Sequence, residues 1–223
     1  MIITVDGLDG AGKSTLAKSL SEELGYEYID KPIYELFNVK GDDNYLYNEI
    51  SHIQHLIYDE TDSDTLKSYF TGLSLLYIKE CMSDKNLIID RGLLSAVAFN
   101  GSEKAKPVFE TLVNLGVFFD ASIIVVTSKE ERIRRMILRN PNDADLKVDK
   151  ILNLNYDRIF RFIQEHPELP YHIINTDNLN PVQVLNEALD YINYLKDNND
   201  QKRYVLKKWL FSHFYLPLFL NYK

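Results

Sequence analysis

The sequence predicts an α/β fold in which helices cover both faces of a five-stranded parallel sheet. Two observations support this prediction: short runs of apolar, often β-branched residues recur along the chain, and longer segments with helical periodicity separate them. Strands that are apolar throughout are typical of parallel sheets, which are buried on both faces. The alternation of strand and helix favours right-handed crossovers between parallel strands.

Five segments fit the strands of this sheet, and we predict them at residues 2–6, 27–30, 87–90, 123–127 and 172–175. Helical spacing between them predicts helices at residues 13–24, 66–82, 129–139, 146–165 and 182–195. In the first of these helices, Leu16, Leu20 and Leu24 recur every four residues and Gly25 suits the helix end.

Length and charge divide the 223 residues into a long acidic part and a short basic one. The chain has a net charge of −8, and its last 23 residues contribute +5, which leaves −13 for the first 200. We predict one domain over residues 1–197 and a basic, aromatic tail over residues 198–223. This tail is expected to form a helix that docks on the acidic body or on a second subunit, with an interfacial membrane helix as the alternative.

Composition also excludes several classes of protein. An acidic chain is unlike a general nucleic-acid binder, which usually carries a basic surface. No run approaches the roughly 20 apolar residues of a membrane span, and the N-terminus does not resemble a signal peptide. The one cysteine excludes an internal disulfide and fits a reducing compartment. We therefore expect a cytoplasmic protein without a membrane span that does not bind nucleic acid.

A glycine-rich segment with the pattern G-x-x-x-x-G-K-S follows the first predicted strand and opens the first predicted helix. Glycines let backbone N–H groups converge on a phosphate, and the helix adds its N-terminal dipole. Lys13 would reach the β- and γ-phosphates of ATP, and Ser14 would ligate Mg²⁺. The motif predicts a three-layer P-loop NTPase fold. The expected ATP-binding residues are Gly7, Leu8, Asp9, Gly10, Ala11, Gly12, Lys13, Ser14 and Thr15.

The rest of the sequence narrows the type of P-loop protein. The N-K-x-D motif by which GTPases read the base is missing, and the chain is short for a motor or an ATPase core. A small kinase fits best. The predicted strand at residues 87–90 ends in Asp90, followed by Arg91, and strand ends of this kind face the ligand crevice of open α/β sheets. Asp90 would hold Mg²⁺ or orient the acceptor, and Arg91 would bind a phosphate with two hydrogen bonds.

At this point the chain resembles the thymidylate kinase family of P-loop nucleoside monophosphate kinases. Residues 5–15, VDGLDGAGKST, resemble the family's E-G-x-D/E-x-x-G-K-S/T-T, and residues 90–101, DRGLLSAVAFNG, resemble D-R-Y-x-x-S-x-x-A-Y/F-x-G. Arg135, Arg139 and Asp143 resemble the arginine-rich lid, expected at about residues 130–147. The resemblance covers roughly residues 1–195.

The resemblance implies roles for individual residues. Asp9 would approach the sugar hydroxyl of the acceptor, and Arg91 would bind the acceptor phosphate. Because Gly10 stands where one subtype has a loop arginine, Arg135 or Arg139 of the lid would stabilise the transferring phosphoryl group. Ser95 and Phe99 belong to the acceptor motif. The family also implies a homodimer.

Other positions depart from the family pattern and leave the acceptor open. Gly92 replaces the tyrosine after the Asp-Arg pair, and Lys31 takes the place of an arginine before Pro32. The expected base-binding helix offers Tyr69 or Phe70 for stacking and contains no arginine. We predict phosphoryl transfer from Mg-ATP to a deoxynucleoside monophosphate, with dTMP as the first expectation. The alternatives are a deoxynucleoside kinase and a nucleotide-binding protein without transfer activity.

Overall fold

Five parallel strands form the sheet, in the spatial order β2-β3-β1-β4-β5. A computed structural model describes residues 1–30, 32–36, 44–148 and 152–197, so Lys31 and the predicted tail lie outside the described residues. The strands are β1 (Ile2–Gly7), β2 (Glu27–Ile29), β3 (Leu87–Asp90), β4 (Ala121–Val126) and β5 (Tyr171–Asn175). All five strands predicted from the sequence are confirmed within two residues at each end.

Helices connect the strands in the described part of the chain. They are α1 (Lys13–Leu24), α2 (Pro32–Leu36), α3 (Asn44–Tyr58), α4 (Asp64–Cys81), α5 (Leu93–Asn100), α6 (Lys106–Asn114), α7 (Lys129–Arg139), α8 (Asp157–Glu165) and α9 (Pro181–Asp197). A short 3₁₀ helix, Ala144–Lys147, follows α7. Among the described helices none is long and apolar enough to cross a membrane.

The sheet is the middle of three layers because alternate side chains of its central strands point to opposite faces. Ile123 and Val125 of β4 pack with α1 and α9 on one face. Ile124 and Val126 pack with α5, α6 and α8 on the other. Both faces are covered, as the apolar runs predicted, and the three-layer P-loop fold is confirmed.

The long helix predicted at residues 146–165 is wrong. The structure has the 3₁₀ helix at its start, and α8 begins only at Asp157. The side-chain oxygen of Asn155 accepts a hydrogen bond from the N–H of Asp157 at 3.1 Å. Such a bond stabilises a turn at asparagine and competes with helix formation.

The sheet register brings the ends of β1, β3 and β4 together. Val5 pairs with Asp90 across β1 and β3, and Gly7 pairs with Val125 across β1 and β4. The loop after β1 and the residues after β3 therefore lie at the same edge of the sheet, which is the edge where ligands bind in open parallel sheets.

Candidate active site

The glycine-rich loop after β1 turns tightly between its strand and α1. Gly7 has φ 139° and Gly10 has φ 81°, conformations that side chains rarely adopt. A Cβ atom at Gly7 would lie 2.4 Å from the carbonyl oxygen of Val125, and one at Gly10 would lie 2.6 Å from that of Arg132. The neighbouring backbone therefore leaves no room for a side chain at either position.

Lys13 opens α1 and is almost fully buried at the floor of this loop. Its Nζ donates to the carbonyl oxygen of Leu8 at 2.8 Å and lies 3.6 Å from Oδ1 of Asp9. Burial, aided by the positive charge of Arg91, lowers the pKa of Lys13 to about 8. The loop thus holds a partly desolvated cation where the motif predicts phosphate binding.

Asp9 and Arg91 form an ion pair between the loop and the residue after β3. Burial by itself would raise the pKa of Asp9, but the charges of Arg91 and Lys13 outweigh it and lower the pKa. The guanidinium carbon of Arg91 lies 5.2 Å from the ring centroid of Phe99, a cation–π arrangement. The Arg91 side chain remains 43% exposed, so it can receive a ligand.

Asp6, at the end of β1, fixes the start of α5 and was missed by the sequence reasoning. Its Oδ1 accepts hydrogen bonds from the N–H groups of Gly92 at 2.9 Å and Ser95 at 2.7 Å. The hydroxyl of Ser95 accepts from the N–H of Gly7 at 3.3 Å, which joins α5 to the loop. Burial raises the pKa of Asp6. The signal in the sequence was a carboxylate at the end of an otherwise apolar strand.

Asp90 offers the oxygen that a divalent cation would need. Its side chain is buried, Oδ2 accepts from the Tyr28 hydroxyl at 3.4 Å, and Oδ1 has no hydrogen-bond partner within the described ranges. Buried polar atoms normally have partners, and Mg²⁺ prefers hard oxygen ligands. Together with the exposed Ser14 at the start of α1, Asp90 fits the chemistry of a magnesium site.

Phe70, the predicted stacking residue, lies on α4. Its half-buried ring meets the ring of Tyr58 edge-on, with 6.3 Å between the centroids. The Tyr58 hydroxyl forms a hydrogen bond with Thr71. Burial raises the pKa of Tyr58, and the nearby charge of Arg91 opposes that shift. Tyr58 thus contacts Phe70 and lies close enough to Arg91 for that charge to affect its pKa, whereas Lys31 lies outside the described residues.

The two predicted lid arginines have different surroundings. Arg135 donates to the carbonyl oxygen of Ala11 at 3.3 Å and to that of Thr176 at 2.7 Å. Arg139 pairs with Asp143 and is 62% exposed. Arg135 thus binds the backbone of the loop and of the residue after β5, whereas Arg139 lies at the end of α7 and contacts Asp143 of the lid.

Arg132, on the same helix, falls within the predicted lid range and is a further functional candidate. Its buried guanidinium donates to the carbonyl oxygens of Asp9 and Leu154, both at 2.8 Å. Its partners are backbone atoms far away in the sequence, so no pattern of residue types could have identified them.

A cavity of about 390 Å³ opens beside the loop, between α1, α7 and α9. Its lining includes Gly12 and Thr15 of the loop end, Arg135 of α7 and Thr176 after β5. The cavity adjoins the predicted phosphate site on the side away from Arg91. The loop thus has the cavity on one side and Arg91 on the other, with Lys13 and Asp9 between them.

The chain is also similar to known proteins. A family model described as "AAA domain" matches residues 3–160. A probable thymidylate kinase of Thermoplasma volcanium is 30% identical over 146 residues, covering 63% of this chain and 73% of the relative. One from Methanococcus vannielii is 24% identical over 195 residues, covering 83% and 91%. A cytidylate kinase of Bacteroides fragilis is 25% identical over 232 aligned positions, covering 95% of both chains.

Solved structures show the same fold. The thymidylate kinase from Candida albicans superposes with a TM-score of 0.61 at 17% identity, covering 88% of this chain and 92% of that one. A deoxyadenosine kinase from M. mycoides gives 0.57 at 18% identity, covering 87% and 100%. The chain therefore belongs to the AAA-domain family of P-loop proteins and, within it, to the thymidylate kinase-like nucleotide kinases.

Proposed function

We propose that the enzyme transfers the γ-phosphoryl group of Mg-ATP to a deoxynucleoside monophosphate, with dTMP converted to dTDP as the first expectation. The observation that carries the proposal is the cluster of Lys13, Asp9 and Arg91. It joins a phosphate-binding loop to a half-exposed guanidinium, which suits two phosphorylated ligands that meet end to end.

On the donor side, the loop from Gly7 to Thr15 would hold the phosphates of ATP through its backbone N–H groups. Lys13 would exchange its present contact with the Leu8 carbonyl for the β- and γ-phosphates. Ser14 and Asp90 would hold Mg²⁺, which when bound neutralises phosphate charge. The cavity beside the loop would receive the rest of the donor nucleotide.

On the acceptor side, Arg91 would bind the monophosphate with its planar fork of N–H donors. Asp9, released from its ion pair with Arg91, would accept a hydrogen bond from the sugar hydroxyl. Ser95 and Phe99 would shape the site around that phosphate, and Phe70 would contact the base. Lys31 remains a prediction for this side.

In the transfer step, an oxygen of the acceptor phosphate attacks the γ-phosphorus. The bond from this phosphorus to the bridging β–γ oxygen breaks, and ADP leaves with that oxygen. Neither step needs a covalent enzyme intermediate, because alignment and charge stabilisation carry phosphoryl transfer. Arg139 or Arg135 would stabilise the charge on the transferring group. The proposal favours Arg139, because it is 62% exposed and paired only with the lid residue Asp143 among the contacts described above, whereas Arg135 donates to the backbone of Ala11 and Thr176.

A second candidate is a deoxynucleoside kinase. The observation that favours it is the Asp9–Arg91 ion pair, which a nucleoside without a phosphate would leave intact. The lack of an arginine in the α4 sequence also leaves the base contacts open. Because the relatives include both thymidylate and cytidylate kinases, the base of the acceptor also stays open.

Residues 1–197 are proposed to be the catalytic domain, with residues 130–147 as its lid and residues 198–223 as a separate tail. We further propose that the protein works in the cytoplasm as a homodimer. Light scattering of the full chain and of a chain ending at Asp197 tests the dimer and shows whether the tail contributes to it.

The acceptor is tested by initial rates with Mg-ATP and a panel of nucleoside monophosphates and nucleosides. Arg91→Met removes the phosphate-binding fork and keeps an extended side chain. For a monophosphate acceptor we expect this variant to raise the KM of dTMP about tenfold or more, because charge-assisted hydrogen bonds are lost. An unchanged KM would exclude Arg91 as the phosphate ligand, and turnover of nucleosides alone would favour the second candidate.

A further inference from the structure

Arg132 is buried between the phosphate-binding loop and the chain that returns from the lid. Its Nε donates to the carbonyl oxygen of Asp9 and its Nη1 to that of Leu154, both at 2.8 Å. The residue is 2% exposed. A guanidinium is costly to bury unless its N–H donors have acceptors, so breaking either hydrogen bond would be unfavourable. Leu154 lies beyond the lid and just before α8. Arg132 therefore joins the loop to the segment between the lid and α8.

The contact with Asp9 determines the direction of the next N–H group. In a planar trans peptide the C=O and the following N–H point to opposite sides. Because the Asp9 oxygen faces Arg132 on α7, the N–H of Gly10 faces away from α7. Converging loop N–H groups are what binds the phosphates of a nucleotide in this type of loop.

The backbone of Arg132 reinforces this arrangement. Its carbonyl oxygen lies 2.6 Å from where a Cβ atom at Gly10 would be, so α7 packs directly on the Asp9–Gly10 peptide. The carboxylate of Asp9 is meanwhile paired with Arg91. Residue 9 is thus held at its backbone by Arg132 and at its side chain by Arg91.

We propose that Arg132 is a positioning residue that orients the Asp9–Gly10 peptide for binding the phosphates of ATP. It acts through the backbone and touches neither substrate. The proposal rests on the proposed function only in taking ATP as the ligand of the loop. It adds a requirement for the forked shape of arginine, since two N–H groups of one planar group reach two carbonyls that a single ammonium reaches less well.

The test compares the dissociation constants of Mg-ATP and adenosine, measured by calorimetry without an acceptor. Arg132→Met removes the fork, and Arg132→Lys keeps the charge. Lys129→Met is the matched control, because Lys129 lies on the same helix and is exposed, and its Nζ bonds Asn153 at 2.7 Å in the same returning segment. It removes one charge and one tie to that segment while leaving the loop contacts in place.

We expect Arg132→Met to weaken Mg-ATP binding about tenfold or more, because a misoriented Asp9–Gly10 peptide would lose its hydrogen bond to a charged phosphate. The dissociation constant of adenosine should change less than about twofold, since adenosine lacks the phosphates that the Asp9–Gly10 peptide would bind. Arg132→Lys should fall between wild type and Arg132→Met, and Lys129→Met should match wild type.

A merely structural role would give a different pattern. Equal weakening of Mg-ATP and adenosine, or Mg-ATP binding as tight as in wild type, would overturn the proposal. If Arg132→Met does not fold, Arg132→Lys carries the same comparison with the same criteria. Because dTMP is absent from these titrations, failure of dTMP as the acceptor would leave the dissociation constant of Mg-ATP unaffected, which separates the two claims.

Discussion

Raising the pH from 7 to 9 should weaken the binding of ATP to the wild-type enzyme, because Lys13 loses its proton in this range. Burial and the charge of Arg91 lower the pKa of Lys13 to about 8 in the free enzyme. With that value about 90% of the lysine is charged at pH 7 and about 10% at pH 9. If only the charged form binds the phosphates, the apparent affinity falls about tenfold.

Calorimetric titration with Mg-ATP at pH 7, 8 and 9 measures this change. At pH 8 binding should also take up about half a proton per site, since the phosphates hold Lys13 in its charged form. Titrations in two buffers with different ionisation enthalpies reveal that uptake. Lys13→Met is the control: it should bind ATP more weakly at every pH and with no dependence on pH. A wild-type ATP affinity that stays constant from pH 7 to 9, or a pH dependence that persists in Lys13→Met, would show that deprotonation of Lys13 does not control ATP binding.

Three further predictions concern the loop, the metal site and a buried histidine. Gly10→Ala should weaken ATP binding strongly, because its Cβ would lie 2.6 Å from a backbone oxygen. The control is Gly25→Ala, which is also at positive φ but has nothing within 4 Å of the added Cβ, so it should lower the free energy of unfolding by only about 1 kcal/mol and keep the ATP affinity. Equal ATP affinities of the two variants would contradict this prediction. Asp90→Asn should raise the Mg²⁺ concentration for half-maximal turnover at least about tenfold, measured by titrating Mg²⁺ at fixed ATP, and an unchanged requirement would remove Asp90 from the metal site. Burial lowers the pKa of His172 below its unfolded value, so the unfolded chain takes up the proton first and the fold should lose stability as the pH falls below about 6.5. His172→Phe keeps a ring against Tyr191. Between pH 7.5 and 5.5 its melting temperature should fall less than that of the wild type, and an equal fall would show that His172 is not responsible.

The sheet could be predicted because each strand has its own local signal. β1, β3 and β4 are buried along their whole length, and this burial appears in the sequence as the short apolar runs at residues 2–3, 87–89 and 123–126. Helix α5 was missed for the same physical reason. Seven of its eight residues are buried, so it lacks the polar face that marks an amphipathic helix.

Helices α2, α3 and α6 were also missed. Helix α2 spans five residues, too few for a periodic pattern to be recognised. The error at residues 146–165 came from extending a helical pattern through Asn155, whose side chain supports a turn.

In the candidate site, the motif and the strand-end rule indicated Lys13, Asp9, Asp90 and Arg91, and the structure places these side chains around one loop. Asp6 and Arg132 escaped because their partners are backbone groups 86 and 123 residues away along the chain. Contacts of that kind depend on the folded topology and leave no spacing in the sequence. The resemblance to thymidylate kinases includes Asp6 as the acidic residue of the family's E-G pair, but it gave no role to Asp6 or to Arg132.

The central claim, transfer from Mg-ATP to a nucleoside monophosphate, is tested most directly by following ADP release with dTMP and with thymidine under identical conditions. We expect steady turnover with dTMP, dTDP formed in equal amount to ADP, little turnover with thymidine, and loss of the dTMP reaction in Lys13→Ala. Turnover of thymidine without turnover of dTMP or any other nucleoside monophosphate would contradict it.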